Sequence, residues 1–298
     1  MRWRENRFSG LDAKEADLRK VLLCSDLDRT ILPNGSEPES PEARPLLRRL
    51  AGRPELTLAY VSGRSESLLK DAIRDYEIPE PDFAIGDVGT TIYEPGKGWR
   101  ERTDWAGEIG RDWGGRDREA VAGCLTDLEA LTLQEPEKQN TYKVSYYTDP
   151  EIDGRGLSEK IEARLRETGI RASVIWSVDE AEGRGLIDVL PERATKVHAI
   201  RFLMDRLGFD ETTTVFAGDS GNDLPALSSG LQAVLVKNAR AEVRDEAMER
   251  LRDRGMPDRL YLARGDFLGM NGNYCAGVLE GLAHFIPAAR DWMAGAGE

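Results

Sequence analysis

The feature that most constrains this chain is a rhythm. Short apolar runs, each closed by a polar or glycine-bearing turn, alternate with amphipathic stretches along most of the 298 residues. Val21–Cys24, Leu56–Val61 and Phe83–Ile85 read as buried strands, with a short return strand over Thr90–Tyr93. Helical spacing runs over Pro41–Leu50 and Glu66–Tyr76. The same rhythm returns near the C-terminus, with strands at Thr214–Ala217, Gln232–Val236 and Leu260–Ala263. Helices are predicted there over Lys196–Leu207, Asp223–Leu227, Ala241–Leu251 and Ala276–Ala283. Strands of this length alternating with helices are βαβ units around a parallel sheet.

From about Trp105 the pattern changes. A helix near Arg118–Leu131 precedes the alternating run Tyr142–Thr148, a helix over Leu157–Glu167, and strands at Ala172–Ser177 and Leu186–Leu190. That order predicts a small sheet with helices on one face, inserted into the larger unit. The expected architecture is α/β: a Rossmann-like doubly wound parallel sheet core with an inserted α+β cap domain. The core would be discontinuous, residues 1–105 and 191–298, with the cap at 106–190.

Composition narrows the chemistry. The chain carries 54 acidic against 41 basic side chains, a net charge of −13, which argues against binding nucleic acid. No apolar run reaches the roughly 18 residues of a membrane span, and the first twenty residues lack the apolar segment of a secretory signal. Cys24, Cys124 and Cys275 are odd in number and far apart, which suits reduced thiols in a cytoplasmic protein. The 2 histidines exclude a His-rich zinc centre and argue against a Ser-His-Asp triad. Carboxylates remain as the chemical groups.

Four predicted strand ends carry suggestive residues, and in an open α/β sheet the ligand crevice lies at those ends. The first is Asp26-Leu27-Asp28-Arg29-Thr30. In extended backbone Asp26 and Asp28 would project to one side. Such a pair either binds a cation or splits its pKa values; the competing reading is a helix cap or turn. At the second, Ser62-Gly63-Arg64, a hydroxyl beside glycine can donate to a phosphate, or simply cap a helix. The third is Lys196, which opens a helix against the helix dipole and makes more sense if an anion sits between them. The fourth, Gly218-Asp219-Ser220-Gly221-Asn222-Asp223, puts two carboxylates on one side of a strand-to-helix turn, an oxygen set suited to Mg²⁺.

These four segments resemble motifs one to four of the haloacid dehalogenase superfamily, and the inserted domain is similar to a C2-type cap. Within the superfamily the chain is most similar to sucrose-phosphate phosphatases. That likeness rests on Gly86-Asp87-Val88-Gly89-Thr90, Leu133-Gln134, Lys143-Val144-Ser145-Tyr146-Tyr147, Leu186-Ile187-Asp188-Val189-Leu190-Pro191 and the tail from Cys275 to Phe285. The resemblance implies that Asp26 attacks phosphorus to form an aspartyl-phosphate and that Asp28 is the general acid and base. It implies Mg²⁺ held by Asp26, Asp219, Asp223 and Asp28, the last through its backbone carbonyl. Thr30, Ser62, Gly63, Lys196 and Asn222 would bind the phosphate, while Arg64, Lys143 and Asp188 would contact substrate.

Arg29 stands where plant and cyanobacterial sucrose-phosphate phosphatases usually carry Asn; either substrate or a cap residue is its candidate partner. The glycines usual around the motif-three lysine are also missing near Lys196. The implied function is Mg²⁺-dependent hydrolysis of a phosphorylated disaccharide, foremost sucrose 6-phosphate. The alternatives are mannosylfructose-phosphate, a glycosyl-3-phosphoglycerate, or phosphotransfer of the phosphomannomutase kind. A functional association with a glycosyltransferase synthase is a further expectation, as is positive potential local to Lys196, Arg64 and Arg29. Phosphate-monoester hydrolysis asks an enzyme for up to ~10²¹-fold acceleration, roughly 28 kcal/mol, so a metal, a nucleophile and cationic donors must share the task.

Overall fold

A computed structural model of the chain describes residues 20–179 and 182–294. The described residues begin with β1 (Val21–Ser25), α1 (Ala43–Ala51), β2 (Leu56–Val61) and α2 (Glu66–Asp75). Then come β3 (Phe83–Gly86), β4 (Thr91–Glu94), β5 (Arg100–Glu101), α3 (Thr103–Gly110) and α4 (Arg118–Gly123). The next group is β6 (Thr132–Leu133), β7 (Val144–Thr148), α5 (Gly154–Glu167), β8 (Ala172–Asp179), β9 (Arg184–Pro191) and α6 (Lys196–Leu207). The described residues close with β10 (Thr214–Gly218), α7 (Leu224–Leu227), β11 (Gln232–Leu235), α8 (Ala241–Asp253), β12 (Leu260–Leu262), α9 (Cys275–Phe285) and α10 (Pro287–Ala294). Two compact units result: residues up to Ala59 together with Met204 onward, and Tyr60–Leu203.

In the first unit the strand order is β12-β11-β10-β1-β2. β1, β10, β11 and β12 run parallel, with Leu23 beside Val215 and Ala217 beside Val234. All five residues of β1 and of β10 are buried, the continuous apolar run that a sheet covered on both faces requires. Helix α9 packs on β11 and β10 and is buried over Cys275–Ala283. Its Gly281 lies so close to the Val234 side chain that a Cβ there would collide. Apart from His284 and the buried Glu280, whose carboxylate accepts from the Tyr261 hydroxyl and the Arg264 and Gly265 N–H groups, the helix is apolar, and such a helix belongs inside a core.

The second unit holds the order β3-β4-β5, antiparallel throughout, and a separate antiparallel sheet of order β6-β7-β9-β8. One face of that sheet packs on α4 and α5. Trp113, Val121, Leu157, Ile161, Val144, Tyr146, Ile187 and Val189 belong to the core between them. The helix expected over Arg118–Leu131 is shorter: α4 stops at Gly123, and i→i+3 hydrogen bonds carry tight turns from Cys124 to Leu131. Gly123, Thr126 and Asp127 are weak helix formers, which explains the early stop. None of the described helices is long and apolar enough to cross a membrane.

Candidate active site

In the first unit the acidic centre begins where β1 runs out. The Asp26 N–H donates to the Ala217 carbonyl at 2.9 Å, extending the sheet by one residue. The Leu27 carbonyl then accepts from the N–H groups of Thr30, Ile31 and Leu32 at 2.9–3.2 Å, folding the chain into a tight loop. Thr30 is fully buried, and its hydroxyl donates to Asp26 Oδ2 at 3.4 Å and Asp219 Oδ1 at 3.3 Å. Asp219 itself follows β10. Asp223 Oδ2 accepts from the N–H groups of Asp219 and Ser220 and from the Ser220 hydroxyl at 3.1–3.2 Å, a capping box that closes the strand-to-helix turn. A Cβ at position 218 would stand 2.7 Å from Asp223, so only glycine lets the turn fold back this far.

Asp26, Asp219 and Asp223 are 5%, 4% and 0% exposed, and each offers an oxygen within 4.8 Å of the other two. Two carboxylates that close repel by about 3 kcal/mol at an effective dielectric of about 20. Burial pushes the Asp219 carboxyl above its ordinary range, the Asp223 charge adds to this, and Arg29 and Thr30 oppose it. Hard oxygens, deep burial and three clustered carboxylates together fit a small divalent cation.

The Asp28 carboxylate stands apart from that cluster. Its Oδ1 accepts from Asn34 Nδ2 at 2.7 Å, and the same Asn34 side chain accepts from the Arg29 N–H at 2.8 Å. Asn34 drew no attention in the sequence; a Pro-Asn-Gly turn just beyond the first motif was the available signal. Arg29 takes a left-handed backbone (φ 59°), and its side chain reaches Asp219, Glu37 and the Asn238 carbonyl. Asn222 is exposed, its Oδ1 accepting from the Ser220 hydroxyl at 2.9 Å.

The second unit carries the remaining expected residues. Ser62 is 2% exposed; its N–H donates to Ile85 and its Oγ accepts from the Arg64 N–H. Gly63 is exposed, and a Cβ there would meet no atom within 4 Å, so packing alone does not demand glycine. The Arg64 guanidinium donates to Leu68 O at 3.3 Å, in the first turn of α2.

The Asp87-Val88-Gly89 turn is unusual in that all three residues are left-handed, at φ 50°, 61° and 92°. For β-branched Val88 that conformation is strained. The turn is held from several sides. The Asp87 N–H donates to Arg64 O, the Tyr93 hydroxyl to Asp87 Oδ2 at 2.7 Å, and Trp105 Nε1 to Gly89 O at 3.2 Å. Burial, then the Asp87 charge, pushes the Tyr93 phenol up. Gly89 packs against the backbone of Ala194 and Thr195, immediately ahead of Lys196. Lys196 opens α6, whose first turn Thr195 caps by accepting from the His198 N–H.

Asp112 escaped the sequence reading altogether. It is 1% exposed, and its carboxylate accepts from the Arg193 N–H at 2.8 Å, from Arg193 Nε at 3.0 and 3.2 Å, and from Arg171. Arg193 also pairs with Glu108 at 2.8 Å. On the inserted sheet, Asp188 and Ser145 are register partners joined by a Ser145 Oγ–Asp188 hydrogen bond. Strand alternation puts both on the face opposite Val144, Tyr146 and Val189. Lys143, half-buried, directly precedes β7.

A parallel α/β sheet whose strand ends assemble three buried carboxylates, interrupted by a helix-backed antiparallel insert, defines a haloacid dehalogenase-superfamily phosphatase with a cap. Comparison with known proteins narrows the class. A family model described as sucrose-6F-phosphate phosphohydrolase matches residues 19–286, and the chain belongs to that family of sugar-phosphate phosphatases. A HAD-like hydrolase of Nitrosococcus oceani is 59% identical over 276 residues, 92% of this chain and 74% of that protein. The mannosylfructose-phosphate phosphatase of Agrobacterium fabrum is 28% identical, covering 89% of this chain and 96% of its own. The solved sucrose-phosphatase of Synechocystis sp. PCC6803, in complex with sucrose and phosphate, is similar with a TM-score of 0.66 and 29% identity. That match covers 90% of this chain and 98% of the other. The chain spans about half, 52%, of the tobacco sucrose-phosphatases it also matches.

Proposed function

We propose that this protein hydrolyses the phosphate monoester of a phosphorylated disaccharide, with sucrose 6-phosphate as the leading substrate. Asp26 attacks phosphorus as the bond to the sugar oxygen breaks, and Asp28 donates the proton that the departing alkoxide needs. Water then attacks the aspartyl-phosphate, giving its proton to Asp28 and releasing inorganic phosphate with Asp26 restored. The carboxylates of Asp26, Asp219 and Asp223, with the Asp28 carbonyl, would hold Mg²⁺. The ion's contribution when bound is neutralisation of the negative charge shared by phosphate and carboxylates. Thr30, Ser62, Gly63, Lys196 and Asn222 are assigned to the phosphoryl oxygens, and Arg64, Lys143 and Asp188 to the sugar. We assign residues 106–190 as the cap and the flanking segments as the core.

The observation that carries this reading is the buried cluster of Asp26, Asp219 and Asp223, oxygens within 4.8 Å, at the ends of adjacent parallel strands. Support for the substrate comes from the family match and from the sucrose-phosphatase likeness across nearly the whole chain. The Agrobacterium relative, matched along 96% of its length, favours mannosylfructose-phosphate as the second reading. A functional association with a glycosyltransferase synthase belongs to the proposal, because a phosphorylated disaccharide arises by glycosyl transfer onto a sugar phosphate.

The test is a panel of phosphorylated disaccharides, glycosyl-3-phosphoglycerates and hexose phosphates, assayed for released phosphate with Mg²⁺ and with EDTA. Sucrose 6-phosphate should give the highest kcat/KM, and EDTA should abolish turnover. Preference for another disaccharide reassigns the substrate. Movement of phosphate within a hexose, without release to water, would mark a phosphotransferase instead.

A further inference from the structure

We propose that Arg29 is a built-in counter-charge of the acidic centre, a positioning residue whose fixed guanidinium weakens the pull of the three carboxylates on a divalent cation. This rests on the reading of that centre as a cation site. The side chain is 36% exposed yet anchored on several sides. Nε lies 3.3 Å from Asp219 Oδ2, and Nη2 lies 3.4 Å from the Asn238 carbonyl and 3.7 Å from Glu37 Oε2. Its backbone is equally fixed: the N–H donates to Asn34, and the carbonyl accepts from Asn238 Nδ2 at 2.7 Å. Asn238 in turn accepts from the Tyr274 N–H at 2.7 Å, and Tyr274 hydrogen-bonds Glu37. Gly35 closes the cradle, because a Cβ there would lie 2.6 Å from the Tyr274 hydroxyl, 2.9 Å from Glu37 Oε2 and 3.0 Å from Arg29 Nη1.

The consequence is electrostatic. Arg29 engages one oxygen of Asp219 while Thr30 engages the other, so a cation bound there shares Asp219 with a cation already present. Glu37 partly cancels the guanidinium charge from the far side, which makes the two residues opposed regulators of one field. Removing the Arg29 charge strengthens the field on an incoming dication, and removing the Glu37 charge weakens it. A purely structural role for the cradle predicts something different, since loss of either residue would loosen Asp219 and weaken binding in both variants.

The experiment is a titration of metal-stripped full-length protein with Mn²⁺, following free Mn²⁺ by electron paramagnetic resonance, for wild type, Arg29→Gln, Arg29→Lys and Glu37→Gln. We expect Arg29→Gln to tighten Mn²⁺ binding about three- to tenfold and Arg29→Lys to stay near wild type. Glu37→Gln should weaken it about two- to threefold. Unchanged or weaker binding in Arg29→Gln, or shifts of the same sign in both neutralised variants, overturns the proposal while leaving the metal reading intact. If Arg29→Gln fails to fold by circular dichroism, Arg29→Met takes its place: tighter binding supports the counter-charge, unchanged or weaker binding overturns it. A wild type that takes up no Mn²⁺ overturns the cation site and this proposal together.

Discussion

Asp219 and Asp223 stand four residues apart, and the turn that joins them is closed by their own backbone and side chains. In the second unit, Arg193, which leads into Lys196, is held by Asp112, 81 residues away, and the next two residues rest against Gly89. The first arrangement is local. Once the chain reaches Gly218, the capping box, the missing Cβ and the Pro at position 225 specify the turn almost without help. The second needs distant segments folded before its lysine has a fixed address. Local construction suits a centre whose charges repel, because the backbone hydrogen bonds of the turn oppose that repulsion directly. Distant construction instead makes the approach to Lys196 depend on packing across its whole unit.

The comparison breaks most visibly at Asp26. In the proposed role Asp26 is the attacking carboxylate, so Asp26→Asn should lower kcat by roughly 10⁴-fold or more. Its melting temperature should match or exceed that of the parent, because one of three mutually repelling charges is gone. Turnover near wild type would remove Asp26 from the nucleophile's role, and a large loss of stability would show that the centre is not locally self-supporting.

At Asp112 the order of effects should reverse. Asp112→Asn removes the buried charge partner shared by Arg193 and Arg171, leaving them Glu108 at 2.8 Å and Glu192 at 3.9 Å, and because both arginines are partly exposed we expect a loss of about 2–3 kcal/mol in urea unfolding. A change below about 0.5 kcal/mol would show that Arg193 holds its place without this carboxylate.

What could be seen in the sequence follows the same division. β1, β2, β10 and β11 announce themselves as apolar runs, and the DLDRT and GDSGND segments carry their own turn chemistry. The Asp26, Asp219 and Asp223 cluster was therefore legible. The role of Arg29 was not: its partners Asp219, Glu37 and Asn238 come from three separate segments, and nothing in a linear pattern joins them. Asp112 had no signal either, sitting in a polar stretch that reads as surface until Arg171 and Arg193 fold over it. Helix α3 was overlooked because the segment from Thr103 to Gly110 has two Gly residues and little periodicity; it owes its place to Trp105, fully buried and tied to Gly89. The end of α4 was misjudged for the complementary reason: the apolar spacing continues past Gly123, but the backbone propensity does not.

Strain separates the units further. Val88 occupies the left-handed region in a turn pinned by tertiary contacts. Val88→Gly should relieve it and raise stability by about 0.5–1 kcal/mol, after the entropic cost of glycine is counted. Thermal or urea denaturation checks this. A loss of stability would mean that the half-buried Val88 side chain contributes more by packing than its backbone costs.

The smallest effect concerns thiols, and it compares the units directly. None of the three described cysteines is disulfide-bonded; Cys24 and Cys275 are buried in the first unit, while Cys124, in the second, is partly exposed. Burial pushes the thiols of Cys24 and Cys275 well up, so the reactive thiolate is scarce as well as inaccessible. Native protein treated with an aromatic disulfide reagent at pH 8 should therefore label Cys124 first, and the other two only after denaturation. Mapping the labelled peptides by mass spectrometry tells the outcomes apart. If Cys24 or Cys275 reacts in native buffer at a rate set by the protein rather than by the reagent, the first unit opens locally faster than its packing implies. Cys24 precedes Asp26 by two residues on β1, so such opening would also unmake the backbone bond from Asp26 to Ala217, and the self-supporting character of the acidic centre would fail with it.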